Sequence, residues 1–204
     1  MSERRQFERG DIRLYPMTKK QADKVIRDWH SHHKPTRGYK FAIGARLATG
    51  SEDLGAVVIG RPSAQALDDK FTWEVTRLCC RGGGMDKNLA SMLLGAAWNA
   101  SWPQGIRSMV SYTRKDEDGT CYKASGWAPV AEVEAEDWQR RASTYKSGWL
   151  PGMYEPSSEV VDRIRWEKRP TEDIRAVSRL LYTLANLGVS RATAACTCTR
   201  TRSS

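Results

Sequence analysis

Three consecutive strand patterns lie between two amphipathic helix patterns, and this run restricts the architecture more than any other feature. Tyr39, Phe41, Ile43, Ala45 and Leu47 hold alternate positions, the spacing of a half-buried strand. Thr49-Gly50-Ser51 supplies a turn, Leu54 to Ile59 the returning strand, and Arg61-Pro62 a break before a third strand from Phe71 to Cys80. Upstream, Ala22, Val25, Ile26 and Trp29 recur at helical spacing behind Thr18 and Gln21, a capping-box pair that satisfies free N–H groups at a helix start. Pro35 closes that stretch. Downstream, Leu89, Met92, Leu93, Ala96, Ala97 and Ala100 mark a second helix. A strand at Ile12–Tyr15 comes first. Later come a strand from Ile106 to Thr113, a short helix from Thr120 to Ser125 with Gly126 as its left-handed cap, an extended stretch from Trp127 to Val133, and a last strand over Ile164–Glu167. The order β-α-β-β-β-α-β-α-β predicts an α/β (α+β) fold in which an antiparallel meander feeds a parallel crossover through one mixed sheet. No GxGxxG follows the first strand, which argues against a doubly wound dinucleotide fold.

Length and composition bound the rest. The 204 residues suit one domain with an appendage. Residues 1–169 form that domain, 170–188 carry a helical pattern (Ile174, Val177, Leu180, Leu181, Leu184), and 189–204 read as a disordered basic tail. Residues 134–158 are polar and turn-rich, with no regular structure expected. Five cysteines are an odd count, two adjacent, and they make no disulfide framework or zinc-finger spacing; no metal is expected. The charged first thirty residues hold no apolar core of signal-peptide length, and no apolar run approaches the roughly 20 residues of a membrane helix, so a cytoplasmic protein with no membrane partner is expected. The net charge of +9 is that of a protein drawn to polyanions, or of a basic solubilising surface.

The segment Glu74 to Leu94 reads as strand, glycine-bearing loop and helix start. A helix N-terminus presents free N–H groups and the positive end of the macrodipole, so it can hold a phosphate, and Arg81 and Lys87 can add charge. The order of elements around this segment resembles the GNAT N-acyltransferase superfamily. In that family a loop of pattern Gln/Arg-x-x-Gly-x-Gly/Ala holds the pyrophosphate of coenzyme A. Met85-Asp86-Lys87-Asn88-Leu89-Ala90 falls on this pattern and Ser91 follows, with methionine replacing the basic residue and Asn88 the first glycine. Asparagine tolerates left-handed backbone angles, so the loop can still form. A second match, Tyr122-Lys-Ala-Ser-Gly126-Trp127, corresponds to the family's Tyr-x-x-x-Gly-Phe/Trp.

The resemblance covers about residues 11–169 and implies a GNAT-like mixed sheet with helices on both faces, acetyl-CoA as acyl donor, and N-acetyltransferase activity. It also implies roles. Leu78, Cys79 and Cys80 would align the thioester, and residues 85–91 would hold the pyrophosphate. Tyr122 would protonate the departing thiolate, or else pack as a core aromatic. Glu74, on the strand before the loop, would draw the amine proton through water, or else pair with an arginine; strict alternation puts Thr76 on its face and Arg77 on the opposite one. His30, His32 and His33 follow the first helix, where the family lines its acceptor pocket. They are read as base (His33) and substrate contacts, as caps on the helix C-terminus, or as ligands of a metal. Arg37 and Tyr112 complete the acceptor set. The adjacent cysteines read as buried small hydrophobes rather than nucleophiles.

The run His-His-Lys-Pro-x-Arg-Gly, then Glu-Val-Thr-Arg-Leu-Cys, then Asn-x-Ala-Ser-Met-Leu also resembles small phage and prophage GNAT-like proteins, similar in layout to Mom-type DNA modification proteins. That likeness implies acylation of a nucleobase amine in phage DNA, in the host cytoplasm, with tryptophans stacking on an extruded base or packing in the core. The alternatives are a GNAT enzyme acting on a small-molecule or protein amine, and a non-catalytic DNA-binding protein with a degenerate GNAT fold. The C-terminal helix could pack on the domain or support a homodimer.

Overall fold

The computed structural model describes residues 10–29, 39–81, 88–135 and 161–171. The chain divides into two compact units, Met1–Arg169 and Pro170–Ser204, and every element below belongs to the first. The helical pattern and basic tail expected beyond Thr171 lie outside the described residues, as do residues 136–160.

Seven strands form one sheet in the order β1-β2-β3-β4-β5-β7-β6. They are β1 (Ile12–Met17), β2 (Phe41–Leu47), β3 (Asp53–Gly60), β4 (Thr72–Cys80), β5 (Ser108–Arg114), β6 (Ala128–Val133) and β7 (Arg163–Lys168). The first four make an antiparallel meander, β4 and β5 are parallel, and β7 lies antiparallel between β5 and β6. The helices are α1 (Lys19–Trp29), α2 (Leu89–Ser101) and α3 (Thr120–Ala124). The meander follows from the short β2–β3 turn, and the parallel pair from α2, long enough to carry the chain back across the sheet.

The capping box at α1 is formed in both directions. The Thr18 N–H donates to Gln21 Oε1 at 2.9 Å, and the Gln21 N–H points at Thr18 Oγ1 at 3.4 Å. Ala22, Val25 and Ile26 of α1 then bury against Met17, Ala42, Ala56, Val58 and Cys79 on one face of the sheet. On the other face Leu89, Leu93, Leu94, Ala97 and Trp98 of α2 pack on Leu54, Val57, Ile59, Trp73 and Val75. With a helix on each side, β2 is covered on both faces: Ala42 and Ala45 are each buried though they point oppositely. The half-buried strand expected from Tyr39–Leu47 is corrected accordingly. α3 sits beside α2 and closes at Gly126, whose φ of +75° lets the Trp127 N–H reach Tyr122 O at 3.0 Å.

One irregularity matters for function. Val58 pairs with Arg77 and Ile59 with Val75, so Thr76 is an extra residue in β4, and its hydroxyl donates to Val58 O at 3.2 Å. Such a bulge bends its strand and shifts the alternation of side chains by one.

Candidate functional site

Just before the bulge, β4 and β5 part. Their ladder holds only Thr72–Ser108, Trp73–Met109 and Glu74–Val110. From Val75 onward β4 keeps its pairing to β3 but has no ladder partner on the β5 side among the described residues. The result is a fork whose β4 arm presents backbone amide and carbonyl groups. Ser111 sits at the crotch: its hydroxyl donates to Val75 O at 3.3 Å and lies 2.8 Å from the Tyr122 hydroxyl.

Tyr122 is buried, 5 % exposed, stacked on Trp166 at 5.3 Å and edge-on to Trp127 at 5.6 Å. Burial raises its pKa well above the usual phenol value, and the Ser111 bond opposes that only in part. The motif match singled out Tyr122 but not Ser111, which no spacing marks.

Glu74 lies at the base of the fork. It is 7 % exposed, and its Oε2 accepts from the Ser63 N–H at 2.7 Å and the Ser63 hydroxyl at 2.8 Å. Burial raises its pKa above the ordinary carboxylate value, while the Ser63 bonds and the charges of Arg77 and Arg163 pull it down. The bulge overturns one expectation. Val58, opposite Arg77, packs on the α1 side, and Val75 packs on the α2 side, so Glu74 and Arg77 share the α1 face. Thr76, as the extra residue, breaks the alternation that had set Arg77 on the far side.

At the mouth, α2 begins from Asn88, whose φ of +69° is left-handed, the conformation expected if asparagine replaces a glycine. Its side chain caps nothing, so the first-turn N–H groups of Leu89, Ala90 and Ser91 have no side-chain cap from it. Asn88 O accepts from the Met92 N–H at 2.9 Å and from the Ser91 hydroxyl at 2.9 Å. Met85, Asp86 and Lys87 lie outside the described residues, as do His30, His32, His33 and Arg37.

The remaining candidates divide by face. Leu78 and Cys80 point to the α2 side, while Cys79 packs under α1. Burial pushes the Cys79 thiol up to about 11, as for a packing residue rather than a thiolate nucleophile. Tyr112 is half-buried on the same face as Glu74. No group of histidine, cysteine and carboxylate residues able to hold a metal occurs among the described residues, and no helix there is long and apolar enough to cross a membrane. Of the eight tryptophans, Trp138 and Trp149 lie outside the described residues. Trp73, Trp98, Trp127 and Trp166 are buried, and Trp29 and Trp102 pack against the two cores.

No protein-family model matches the sequence, and a search of curated proteins returns no match. Solved structures do match the fold. The ribosomal-protein-S5-alanine acetyltransferase of Vibrio fischeri superposes with a TM-score of 0.56 at 10 % identity, over 81 % of this chain and 97 % of that one. Ard1 of Thermoplasma volcanium gives 0.53 at 15 % identity over 79 % and 99 %. A chain from Desulfovibrio desulfuricans described as a GNAT-family acetyltransferase gives 0.52 at 12 % identity over 78 % and 98 %. The fold of this protein, a mixed seven-stranded sheet with α1 and α2 on opposite faces, is the fold of GNAT acetyltransferases.

Proposed function

We propose that this protein is an N-acetyltransferase of the GNAT type that uses acetyl-CoA to acetylate an amine. The observation that carries this reading is the fork between β4 and β5, with Glu74 buried at its base and a left-handed helix start at its mouth. The residues fit the donor. The pantetheine arm is an extended chain with two amide groups, which can pair with the unladdered edge of β4 as a strand would. The first-turn N–H groups of α2 suit a pyrophosphate. When bound, acetyl-CoA supplies a thioester whose C–S bond breaks as the acceptor nitrogen forms the C–N bond.

The chain's own residues then handle protons. Glu74 accepts the proton of the amine, directly or through a water, and Ser63 fixes the carboxylate by two bonds to one oxygen. The Tyr122 and Ser111 hydroxyls lie at the crotch of the fork, where Tyr122 can return a proton to the thiolate. His33 is the alternative base, with His30, His32 and Arg37 as acceptor contacts, since the chain around residues 30–38 follows α1 directly.

The acceptor class proposed from the Mom-like motifs is a nucleobase amine of DNA. The net charge of +9 favours it, whereas the core packing of six tryptophans removes them as stacking platforms. A DNA-binding protein with an inactive GNAT fold is the reading left if the donor does not bind.

The test is calorimetric titration with acetyl-CoA and desulfo-coenzyme A, followed by radiolabel transfer to DNA, nucleosides and a panel of amines. Micromolar donor binding, with transfer falling about 100-fold or more in E74Q and little in H33A, supports the proposal. Donor binding absent from the wild type refutes it.

A further inference from the structure

Ser111 has one hydroxyl proton and two neighbours able to accept it. The residue is 2 % exposed, with Val75 O at 3.3 Å and the Tyr122 hydroxyl at 2.8 Å. A carbonyl oxygen only accepts, so while Ser111 donates to Val75 the Tyr122 hydroxyl must be the donor to Ser111. In that arrangement the Tyr122 proton points at Ser111 and is withheld from the fork. The ring is held in place, because Trp166 stacks on it and Trp127 meets it edge-on. What remains able to turn is the two O–H bonds. When Ser111 turns to donate to Tyr122, the Tyr122 proton is released toward the fork, and Val75 O gives up its hydroxyl partner. Val75 stands where β4 leaves the β5 ladder, and the carbonyl of a buried residue needs a donor. An extended amide lying along the β4 edge brings an N–H to that position.

Resting on the acetyltransferase reading, we propose that Ser111 is a positioning residue that turns from Val75 to Tyr122 when acetyl-CoA enters the fork, aiming the Tyr122 proton at the thioester sulfur. The 3.3 Å bond to Val75 is long for a hydroxyl donor, and so is the easier of the two to exchange. Burial raises the phenol pKa, and the Ser111 bond pulls it back down, because a donor favours the phenolate. As the C–S bond breaks, its electron pair stays on sulfur and the Tyr122 proton goes to that sulfur. Ser111 then donates to the phenolate left behind. The proton that Glu74 takes from the amine passes to water, and water returns one to Tyr122 before the next turnover. Ser111 thus acts on the rate through Tyr122 alone.

The experiment uses the full chain, isotope-labelled at the tyrosine Cζ and titrated with desulfo-coenzyme A; the Tyr122 resonance is identified by its loss in Y122F. A saturable shift of that resonance in the wild type, about threefold or more smaller in S111A, is expected. A resonance that the ligand leaves in place, or moves equally in both proteins, overturns the turn of Ser111. Turnover is measured with acetyl-CoA and the amine of the panel that is acetylated fastest. In S111A kcat should fall about tenfold with both KM values within about threefold, and S111T, which keeps the hydroxyl, should recover at least about a third of the wild-type kcat. In the Y122F background, S111A should lower kcat by less than about twofold more. A full further loss in that background, or a raised KM at unchanged kcat, overturns the coupling. So does an S111A enzyme as fast as the wild type when Y122F is slow. If S111A does not fold, S111C, which nearly keeps the volume with a weaker donor, replaces it in each arm. A wild type that binds desulfo-coenzyme A yet acetylates no amine overturns the acetyltransferase reading instead, and a Ser111-dependent shift then keeps the hydroxyl switch.

Discussion

Glu74 is set by opposing influences, and each can be removed separately. Burial raises its pKa, whereas the N–H and hydroxyl of Ser63 lower it. In S63A the hydroxyl contribution is lost, so the carboxyl should hold its proton to higher pH. The acid limb of kcat/KM should therefore move upward in pH with a nearly unchanged plateau, and an unmoved limb would show that another group is the base. The same raised pKa bears on stability. Glu74 binds its proton more tightly folded than unfolded, so its stabilising contribution is complete below the ordinary carboxylate range. That contribution fades as pH rises through the native value. E74Q should accordingly be at least as stable as the wild type at neutral pH, measured by urea denaturation, while losing activity. Tyr122 offers a parallel test, because Y122F keeps its contacts with Trp127 and Trp166 and removes only the hydroxyl beside Ser111. A fall of about tenfold or more in kcat with little change in acceptor KM is expected; unchanged kcat would leave Tyr122 a packing residue.

At the scale of elements, two left-handed positions do most to seat α2 and α3. Asn88 opens α2 with φ of +69°, a value that the ring of proline forbids. N88P should abolish donor binding in calorimetry, whereas N88G should retain it. Gly119 opens α3 with φ of +62°, and a Cβ there would lie 2.1 Å from the Trp166 ring. G119A should cost about 1–3 kcal/mol, read as a lower denaturation midpoint at constant slope. Much of this scale was legible in advance. Periodicity located α1 and α2, Thr18 and Gln21 marked the helix start, and Gly126 marked the end of α3, because each depends on neighbours in the chain. The fork was not legible. It rests on Ser111 meeting Val75 and Tyr122, and on Glu74 meeting Ser63, contacts between residues eleven or more positions apart. Nor did alternation reveal that β2 is covered twice, since Ala42 and Gly44 carry too little side chain to register as an apolar face.

Over the whole sheet, the fork divides β1–β4 from β5–β7–β6, which among the described residues are joined by three ladder pairs, the Arg107 and Ser108 N–H bonds to Phe71 O, the Ser111 bond, the shared core and the packing of α2 on α3. Those β4 amides from Thr76 to Cys80 that point away from β3 should exchange with solvent faster than amides of β3. Desulfo-coenzyme A should slow them by tenfold or more in hydrogen-exchange measurements, and exchange indifferent to the ligand would contradict its seat in the fork. The Thr76 bulge also determines which kinds of genetic change can alter this face. Substitution can exchange Arg77 for another residue, but it cannot send that side chain to the other side of the sheet, because orientation follows from counting residues along the strand. Only a change of register with β3 does that. Removing Thr76, which has no partner on β3, would close the bulge and leave Arg77 opposite Val58, still on the face of Glu74. In lineages descended from this chain, β4 can thus lose this one residue without exchanging its faces, whereas a slip of its pairing would exchange them all.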